Sequence, residues 1–336
     1  MRSVVWLSEA TLGRCQRSSP RFSAPHAEVV TSTKQFLAAA QDPQTLAYVD
    51  GATLAILAAI DHVPLPSFII AICDDTLQTA VGWLQYPWLS HVLSITMLEH
   101  PMAERHLDNV VRTLTNPNPP RLLDWIEGNL TGRRIRLTHA STRATQLEKM
   151  GEFFEAKGIG GRTRDQLRDI AEELLTNAFY DAPVAAGALK KPVSRTHDVS
   201  LPDDSACDLV YGSHDDEAVI RVRDPFGSLS RRRLVEVLGR CSRTDMQVQV
   251  DESMGGAGLG LWRIFAVASF VTISVVKNHH TEFLVGIAKR AAATKPFAFH
   301  LYFRDGAKPR FWRTADEDSS KPSVNKSVTI QVAKSD

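Results

Sequence analysis

Short β-rich runs alternate with helical stretches over the first third of the chain, and this alternation limits its fold more than any other feature. The runs that predict strands are residues 4–7, 28–31, 46–49, 68–72 and 92–97. The stretches that predict helices are residues 35–40, 52–60, 77–84 and 102–114. Because parallel strands need crossover connections, which are usually helices, this order predicts a parallel sheet covered on both faces. Residues 1–115 are therefore predicted to form an α/β domain.

A proline-rich segment, Asn116-Pro-Asn-Pro-Pro120, ends this pattern, because consecutive prolines cannot continue a helix. A chain of 336 residues is long enough for two domains. Residues 116–132 are predicted to be a linker that contains a short helix over residues 122–130. A second domain is predicted over residues 133–305, with strands at 134–137, 218–222 and 271–276 and helices at 142–156 and 164–182. Residues 306–336, rich in Lys, Ser and Asp, are predicted to be a partly disordered tail.

The composition excludes several classes of protein. Acidic and basic residues nearly match, with a formal net charge of +1, so neither nucleic-acid binding nor membrane-surface binding is expected. The four cysteines form no Cys-x-x-Cys pair, which argues against a zinc site or a disulfide framework and suits a reducing compartment. The N-terminal apolar stretch is too short for a signal peptide, and no apolar run has membrane length. The protein is predicted to be cytoplasmic.

The helix predicted over residues 164–182 carries two rows of side chains. Apolar residues at helical spacing predict a buried face, and beside them runs a polar row formed by Asp169, Glu173, Asn177 and Asp181. Residues four apart share a helix face, so Glu173 and Asn177 present a carboxylate and an amide oxygen to one site. Such oxygen donors suit Mg²⁺ that is also bound by phosphate and water. A solvated helix face would have the same pattern.

Later turns contain residue types that bind nucleotides. A β-like run at residues 219–223 ends at Asp224, whose carboxylate can accept a hydrogen bond from an amine such as adenine N6; an ordinary Asp-Pro turn has the same residues. Further on, Gly255-Gly-Ala-Gly-Leu-Gly-Leu261 leads into a helix predicted over residues 262–269, where backbone N–H groups can approach phosphate. This run has neither the Gly-Lys-Ser/Thr of a P-loop nor the G-x-G-x-x-G spacing of a dinucleotide fold.

In this order and spacing, the segments resemble the motifs of the GHKL ATPases, the histidine kinase-like ATPase superfamily. The matching segments are Glu173-Leu-Leu-Thr-Asn177-Ala, Asp224-Pro-Phe-Gly227, Gly256-Ala-Gly258-Leu-Gly260-Leu261 and Thr281-x-Phe283. The resemblance covers roughly residues 134–289. It implies a Bergerat-type α/β two-layer sandwich, in which helices cover one face of a mixed sheet and ATP lies between the helices and a mobile lid.

The resemblance also implies a role for each matching residue. Glu173 would be the catalytic general base, Asn177 would bind Mg²⁺, and Asp224 would bind adenine. The residues implied to bind the nucleotide are Asn177, Asp181, Asp224, Gly227, Gly256, Gly258, Leu259, Gly260 and Thr281. Phe226 stands where the family has the first glycine of the adenine turn, so either its ring packs beside the base or nucleotide affinity is weakened.

The layout before the Asn-bearing helix separates the members of the superfamily. An orthodox histidine kinase has a long two-helix hairpin there, which carries the phospho-accepting histidine. Only about one helix lies between the strand at residues 134–137 and the helix at residues 164–182. His139 lies at a strand-to-helix junction, where a surface or capping role suits it. The layout is similar to that of the minimal ATPase domains of anti-sigma-factor serine kinases.

The first domain resembles a degenerate receiver domain of two-component signalling. Asp50 ends the third predicted strand, where receivers accept phosphate, and Thr76 follows the fourth. The acidic pair expected after the first strand is reduced to Ser8-Glu9, and Leu98-Glu-His-Pro101 lacks the expected lysine. Because phosphoryl transfer relies on Mg²⁺ and a cation, Asp50 is predicted to be inert. The domain is predicted to bind a partner protein or to form a homodimer.

Three functions are compatible with these motifs. The first is a signalling protein that binds ATP and Mg²⁺ and phosphorylates or regulates a partner protein, as an anti-sigma-factor serine kinase does. The second is a non-catalytic switch, in which ATP orders the lid and thereby gates a protein interface. The third is autophosphorylation on histidine, which would use His139.

Overall fold

Two groups of strands, one mainly parallel and one antiparallel, organise the protein. The computed structural model describes residues 2–42, 44–60, 65, 68–116, 118, 121–125, 131–214, 217–242, 259–289, 295–306 and 331–333. Within these ranges the protein is α/β, with both parallel and antiparallel strand pairs. The chain divides into two compact units, Met1–Pro120 with Ala291–Leu301 and Arg121–Arg290 with Tyr302–Asp336. None of the helices in the described ranges combines the length and the apolar character needed to cross a bilayer.

The first unit alternates strands with helices, as the sequence predicts. Its elements in chain order are β1 (Ser3–Trp6), α1 (Glu9–Ser18), β2 (Glu28–Val29), α2 (Thr33–Ala40), β3 (Leu46–Asp50), α3 (Gly51–Ala58), β4 (Phe68–Cys73), α4 (Leu77–Gly82), β5 (His91–Ser94), α5 (Ile95–Leu98) and α6 (Ala103–Thr115). The strands pair in parallel in the order β2-β1-β3-β4-β5. This is one of the two common orders of doubly wound α/β sheets. All five residues of β3 are buried, so both faces of the sheet are covered, because successive side chains point to opposite faces.

Short polar side chains at strand ends start several of these helices. The Ser32 hydroxyl accepts a hydrogen bond from the Gln35 amide at 3.4 Å, and the Ser94 hydroxyl accepts one from the Met97 amide at 3.1 Å. Such caps satisfy N–H groups that have no partner within the helix. The Ser94 cap explains why the strand predicted over residues 92–97 was wrong in its second half, since α5 begins at Ile95.

The second unit contains a group of five antiparallel strands and the helices that pack on it. Its elements in chain order are β6 (Thr131–Leu137), α7 (Arg143–Ala156), α8 (Gly161–Thr176), a π-turn (Asn177–Asp181), α9 (Ala182–Ala185), β7 (Asp198–Ser200), β8 (Cys207–His214), β9 (Glu217–Asp224), α10 (Arg231–Cys241), α11 (Leu259–Val267), β10 (Phe270–Val276) and β11 (His280–Ala288). The order β10-β11-β9-β8-β6 is antiparallel at each of its four pairings.

The two faces of this antiparallel sheet differ in chemistry. On one face Tyr211 packs against Phe153 and Phe154 of α7, with ring centroids 5.3 Å and 5.9 Å apart. On the other face Arg221 and Glu282, both almost fully buried, form an ion pair of 2.6 Å. The backbone N–H of Leu122, in a 3₁₀ turn at Leu122–Trp125, donates to the same carboxylate at 2.7 Å. Helices therefore cover the apolar face, and the opposite face carries a buried charge pair.

Two later strands return to earlier parts of the chain. In β12 (Ala298–Arg304), residues Ala298, Phe299 and His300 pair antiparallel with Leu93, Val92 and His91 of β5. This return was not contained in the predicted domain boundaries, which assigned residues 133–305 to one domain. The short strand β13 (Gln331–Ala333) pairs antiparallel with β7. Non-local pairings of this kind require the folded sheet and are not visible in a local sequence pattern.

Three buried histidines meet within the first unit, where β12 pairs with β5. His91 lies on β5, His106 on α6 and His300 on β12, and their exposed fractions are 7%, 4% and 0%. The Nε2 atoms of His106 and His300 are 2.9 Å apart. The rings of His91 and His300 stack with centroids 5.5 Å apart. These three residues are called the histidine cluster below.

Candidate functional site

The helix predicted over residues 164–182 begins at Gly161 and presents the two expected faces. Its buried side chains are Leu167, Ile170, Ala171, Leu174, Leu175 and Thr176. Glu173 and Asn177 are half-buried beside this apolar face. The Asn177 side-chain nitrogen donates to Glu173 Oε1 at 3.3 Å. Because the amide nitrogen is engaged by Glu173, the amide oxygen of Asn177 is the atom suited to bind a cation.

The regular helix ends at Thr176, where the prediction continued it to residue 182. Asn177–Asp181 form a π-turn, in which the Ala182 N–H donates to the Asn177 carbonyl five residues earlier. Pro183 lies two residues beyond Asp181, and its missing N–H interrupts regular helical pairing at this point. Single π-turns within helices are frequent at functional sites. This one contains Asn177 and Asp181, two of the predicted site residues.

Glu173 also meets the start of α11, where the glycine-rich run ends. A Cβ added to Gly260 would stand 2.0 Å from Glu173 Cδ and 2.2 Å from its Oε1. The Glu173 carboxylate therefore lies directly on the Gly260 backbone, which only a residue without a side chain permits. Leu259 precedes it with 36% exposure. Gly256 and Gly258 lie outside the described residues.

Asp224 forms a second cluster with Gly227 and Thr281. Its Oδ1 accepts hydrogen bonds from the backbone N–H groups of Phe226 at 2.8 Å and Gly227 at 3.3 Å. Thr281 is the register partner of Asp224 on β11. Gly227 has φ of +60°, in the left-handed region that favours glycine. Phe226 is buried at 1% exposure, so its ring belongs to the protein interior.

The ionisation of Asp224 reflects this buried position. Burial raises the pKa of Asp224 to about 6, and the hydrogen bonds from Phe226 and Gly227 offset part of the rise. At pH 7 the carboxylate is therefore mostly ionised and can accept a hydrogen bond from an exocyclic amine. A neutral carboxyl group would present a competing donor.

Asp181 lies at the far end of the polar row and faces a cation. Burial raises the pKa of Asp181, and the nearby charge of Arg195 lowers it in part. The closest approach, between Arg195 Nη2 and Asp181 Oδ2, is 3.8 Å. Glu173 adds a like charge that also raises the pKa of Asp181. A cation bound at this row would relieve the repulsion between the two carboxylates.

A polar cavity of about 360 Å³ adjoins Asp224 within the second unit. Its size falls within the range of small-molecule sites. Asp224 is the one predicted site residue that lines it among those the structure describes. The lining residues are Arg134, Arg136, Asp204, Ala206, Asp208, Arg223, Asp224, Pro225 and His279. The cavity lies at the end of β9, and charged side chains of both signs line it.

Two elements beside the site were absent from the sequence prediction. Strand β8, which pairs with β6 and β9, was interpreted as part of a polar loop. Its Cys207, Leu209 and Tyr211 alternate and are each 0% exposed, a period-two signal that could have identified it. Helix α10 was interpreted as a basic stretch. The Ser230 hydroxyl caps it by accepting from the Arg233 amide at 3.2 Å, which is a recognisable helix start.

In the first unit, Asp50 caps a helix. It is 2% exposed, accepts a hydrogen bond from the Ser8 N–H at 2.6 Å and accepts another from the Thr53 N–H at 3.1 Å. Burial acts to raise its pKa, but the hydrogen bonds from Ser8 and Thr53 outweigh burial and lower the pKa. Thr76 likewise caps α4 by accepting from the Thr79 N–H. These contacts give both residues structural roles.

His139 lies on the surface of the second unit. Its side chain is 52% exposed, and its Nδ1 is 2.8 Å from the Ser200 hydroxyl. The residue precedes a 3₁₀ turn at Ala140–Thr142. The predicted surface position agrees with this geometry.

Comparisons with known proteins add no family. Neither the models of known protein families nor the curated protein sequences include a match to this chain. In the part of the chain that the structure describes, no three His, Cys, Asp or Glu side chains are arranged to bind a metal ion. A magnesium ion at Asn177 would therefore need phosphate oxygens and water as its other ligands, which is common for Mg²⁺.

Proposed function

We propose that the second unit binds ATP with Mg²⁺ as a GHKL-type ATPase domain, and that the protein phosphorylates or regulates a partner protein. The observation that carries the proposal is the meeting of Glu173, Asn177 and Gly260. These residues are far apart in sequence, and they are a carboxylate, an amide and a glycine at a helix start. The three types suit a base, a metal ligand and a phosphate-binding backbone.

Each residue has a distinct role in this proposal. Asn177 donates its amide oxygen to Mg²⁺, which shields the phosphate charge when bound. The start of α11 at Leu259–Gly260 directs backbone N–H groups at phosphate, and Asp224 accepts a hydrogen bond from the adenine amine. Asp181 adds negative charge near the cation. Phe226, which is buried, supports the turn that orients Asp224 through its backbone N–H.

Glu173 is the proposed general base. It would take the proton from a hydroxyl group of the partner, while the hydroxyl oxygen bonds to the γ-phosphorus and the bond to the ADP oxygen breaks. The close contact with Gly260 fixes the carboxylate beside the helix start that would bind phosphate. Its hydrogen bond from Asn177 orients the same carboxylate. A serine hydroxyl is the acceptor implied by the resemblance to anti-sigma-factor kinases.

The first unit is proposed to bind the partner protein or a second copy of the chain. Its strand order is that of a doubly wound sheet, and the receiver-like resemblance places phosphate acceptance at Asp50. Because Asp50 is buried and engaged as a helix cap, a phosphate there would require the cap to break. A binding role without phosphorylation therefore suits this unit.

ATP binding with and without Mg²⁺ tests the proposal directly. Calorimetric titration should show ATP binding that Mg²⁺ strengthens. Asn177→Ala should remove the effect of Mg²⁺ on ATP affinity. Asp224→Asn should weaken the binding of adenine nucleotides and leave the binding of inorganic triphosphate unchanged. Wild-type affinity in both variants would remove the site assignment.

A non-catalytic switch is the second function, and the same two contacts of Glu173 are compatible with it. Glu173 is engaged by both Asn177 and Gly260, which is an arrangement that can hold a site without chemistry. Incubation with labelled ATP and candidate partners separates the two functions. Transfer of label that disappears in Glu173→Gln supports the kinase, whereas binding without transfer or hydrolysis supports the switch.

A further inference from the structure

Arg143, at the start of α7, makes three contacts with the end of α8 and the π-turn that follows it. Its Nη1 donates to the Thr176 hydroxyl at 2.6 Å and lies 3.4 Å from Glu172 Oε1. Its guanidinium also lies over the Tyr180 ring, 5.0 Å from the centroid. The Arg143 side chain is 12% exposed. The bond to the buried Thr176 hydroxyl therefore forms in a largely dry environment, where charge-assisted bonds are strong. The Glu172 side chain is 46% exposed, so its ion pair with Arg143 contributes less.

The three contacted residues form a row at four-residue spacing. We call Glu172, Thr176 and Tyr180 the clamp row. Each member directly precedes a member of the polar row that the proposed function uses, formed by Glu173, Asn177 and Asp181. An α-helix turns about 100° per residue. Fixing the clamp row at successive turns therefore fixes the direction in which the polar row points.

The π-turn makes this fixation necessary. Asn177–Asp181 depart from regular pairing, so the helix alone does not define where Asn177 and Asp181 point. Arg143 contacts the last residue before the π-turn, Thr176, and a residue within it, Tyr180. Tyr180 is in turn fixed at its other end, since its hydroxyl lies 2.9 Å from the Arg195 carbonyl and 2.7 Å from the His197 carbonyl. The contacts of Arg143 with the clamp row thus extend from the end of α8 into the π-turn.

We propose that Arg143 is a positioning residue, which sets the orientation of Asn177 towards the metal through the clamp row. The inference rests on the proposed function of the second unit. Arg143 is not among the residues that matched the family motifs, and it would touch neither nucleotide nor metal. Planar guanidinium geometry suits this role, because one Arg can meet a hydroxyl, a carboxylate and a ring at once, whereas Lys presents a single point charge.

The test compares ATP affinity in Mg²⁺ with ATP affinity in EDTA for Arg143→Gln and Arg143→Lys. Substitutions that disturb the support of a metal ligand typically weaken metal binding about 10- to 100-fold. Arg143→Gln should therefore lose about tenfold or more of its affinity in Mg²⁺ and keep its affinity in EDTA. Arg143→Lys should lie between the wild type and Arg143→Gln. Arg168→Gln, at an exposed position of α8, is the matched control and should bind as the wild type does.

A purely structural role would give a different result. Equal weakening in Mg²⁺ and in EDTA would overturn the proposal, and so would an unchanged Mg²⁺ dependence in Arg143→Gln. Thr176→Val removes one clamp contact with little change of volume, and should give a smaller loss of the same Mg²⁺-dependent kind. It provides a second measurement if Arg143→Gln does not fold.

Amide hydrogen exchange separates this inference from the proposed function. Without any nucleotide, Arg143→Gln should accelerate exchange over Asn177–Asp181 while leaving β9 and β11 unchanged. If the wild-type protein binds ATP neither in Mg²⁺ nor in EDTA, the proposed function is wrong. The exchange measurement then decides whether Arg143 fixes the π-turn, and unchanged exchange there overturns the inference.

Discussion

The carboxylate of Glu173 lies so close to Gly260 that a Cβ on the glycine would stand 2.0 Å from Glu173 Cδ. Glu173 and Gly260 lie 87 positions apart in the sequence. The contact between them therefore results from the packing of α8 against α11. Any other residue at position 260 would have to displace the Glu173 carboxylate, because the carboxylate occupies the space of a side chain. The position of Glu173 is therefore sensitive to the smallest change at Gly260.

Gly260→Ala should displace Glu173 and weaken ATP binding. Displacing Glu173 disturbs the carboxylate that holds Asn177, the proposed Mg²⁺ ligand. Because changes to the support of a metal ligand typically weaken metal binding about 10- to 100-fold, we expect at least about tenfold lower affinity for ATP in Mg²⁺. Calorimetric titration measures this loss. Gly239→Ala is the control, because nothing lies within 4 Å of an added Cβ there, and alanine favours its helix α10. Equal ATP affinity in both variants would show that the Glu173 contact does not matter for the nucleotide.

Gly227→Ala should destabilise the protein more than a strained backbone alone explains. An added Cβ would stand 2.2 Å from the Val276 carbonyl oxygen, and overpacking costs about 1–3 kcal/mol. Gly158→Ala is the matched control, since Gly158 has φ of +72° but no atom within 4 Å of an added Cβ. It should lose only about 1–2 kcal/mol for the left-handed conformation. Urea unfolding of both variants measures the difference, and equal losses would argue against the clash.

The sequence pattern predicted the elements whose residues are uniformly apolar and missed those whose burial depends on distant partners. The runs at residues 46–49 and 68–72 coincide with β3 and β4, because strands buried on both faces have few polar residues. Strand β8 contains Asp208, Gly212 and His214, which favour a loop in a local reading. Asp208 becomes acceptable there because Arg134 pairs with it at 3.0 Å on the neighbouring strand.

The candidate site was accessible to the sequence only in part. The four-residue spacing predicted that Glu173 and Asn177 share a face, and they are joined by a hydrogen bond. The π-turn was not predicted, because the prediction followed the spacing of apolar residues. Pro183 alters the backbone hydrogen bonds of the residues before it because it has no N–H to donate, and this leaves no trace in that spacing. The contacts of Arg143 were also invisible, since they join α7 to the end of α8 through side chains of ordinary surface type.

Glu282→Gln should strongly destabilise the second unit. Arg221 would then be left buried, at 2% exposure, without the carboxylate that it contacts at 2.6 Å. Breaking one partner of a buried ion pair costs about 3–5 kcal/mol, and the free energy of unfolding from urea titration should fall by that order. Glu236→Gln is the control, because this exposed residue faces Arg232 at 3.9 Å on α10, where such pairs contribute at most about 0.5 kcal/mol. Asp208 Oδ2 lies 3.9 Å from Arg221 Nη1, so a loss below about 1 kcal/mol in Glu282→Gln would mean that Asp208 suffices as the partner of Arg221.

Acidification should destabilise the first unit through the histidine cluster. Burial lowers the pKa of His91 to about 3, and burial together with Arg105 lowers the pKa of His106 to about 3. Burial, followed by the charges of His106 and His91, also lowers the pKa of His300. The unfolded chain binds protons at a pKa of about 6.5, so it binds more protons than the folded chain at any pH between these values. Stability is therefore complete above about pH 6.5 and falls as the pH is lowered.

The size of this effect can be measured histidine by histidine. Each histidine that stays neutral in the folded protein lowers the free energy of unfolding by about 1.4 kcal/mol per pH unit below 6.5. Between pH 7 and pH 5, each should therefore lower it by about 2 kcal/mol. His91→Gln should reduce the pH dependence of the unfolding free energy by the share of one proton. His26→Gln, at an exposed position, should leave the pH dependence unchanged. Because His106 Nε2 and His300 Nε2 are 2.9 Å apart, one must donate and the other accept, and a second proton there would set two donors against each other. Stability that is constant from pH 7 to pH 5 would therefore contradict the neutral, closely packed state of all three rings.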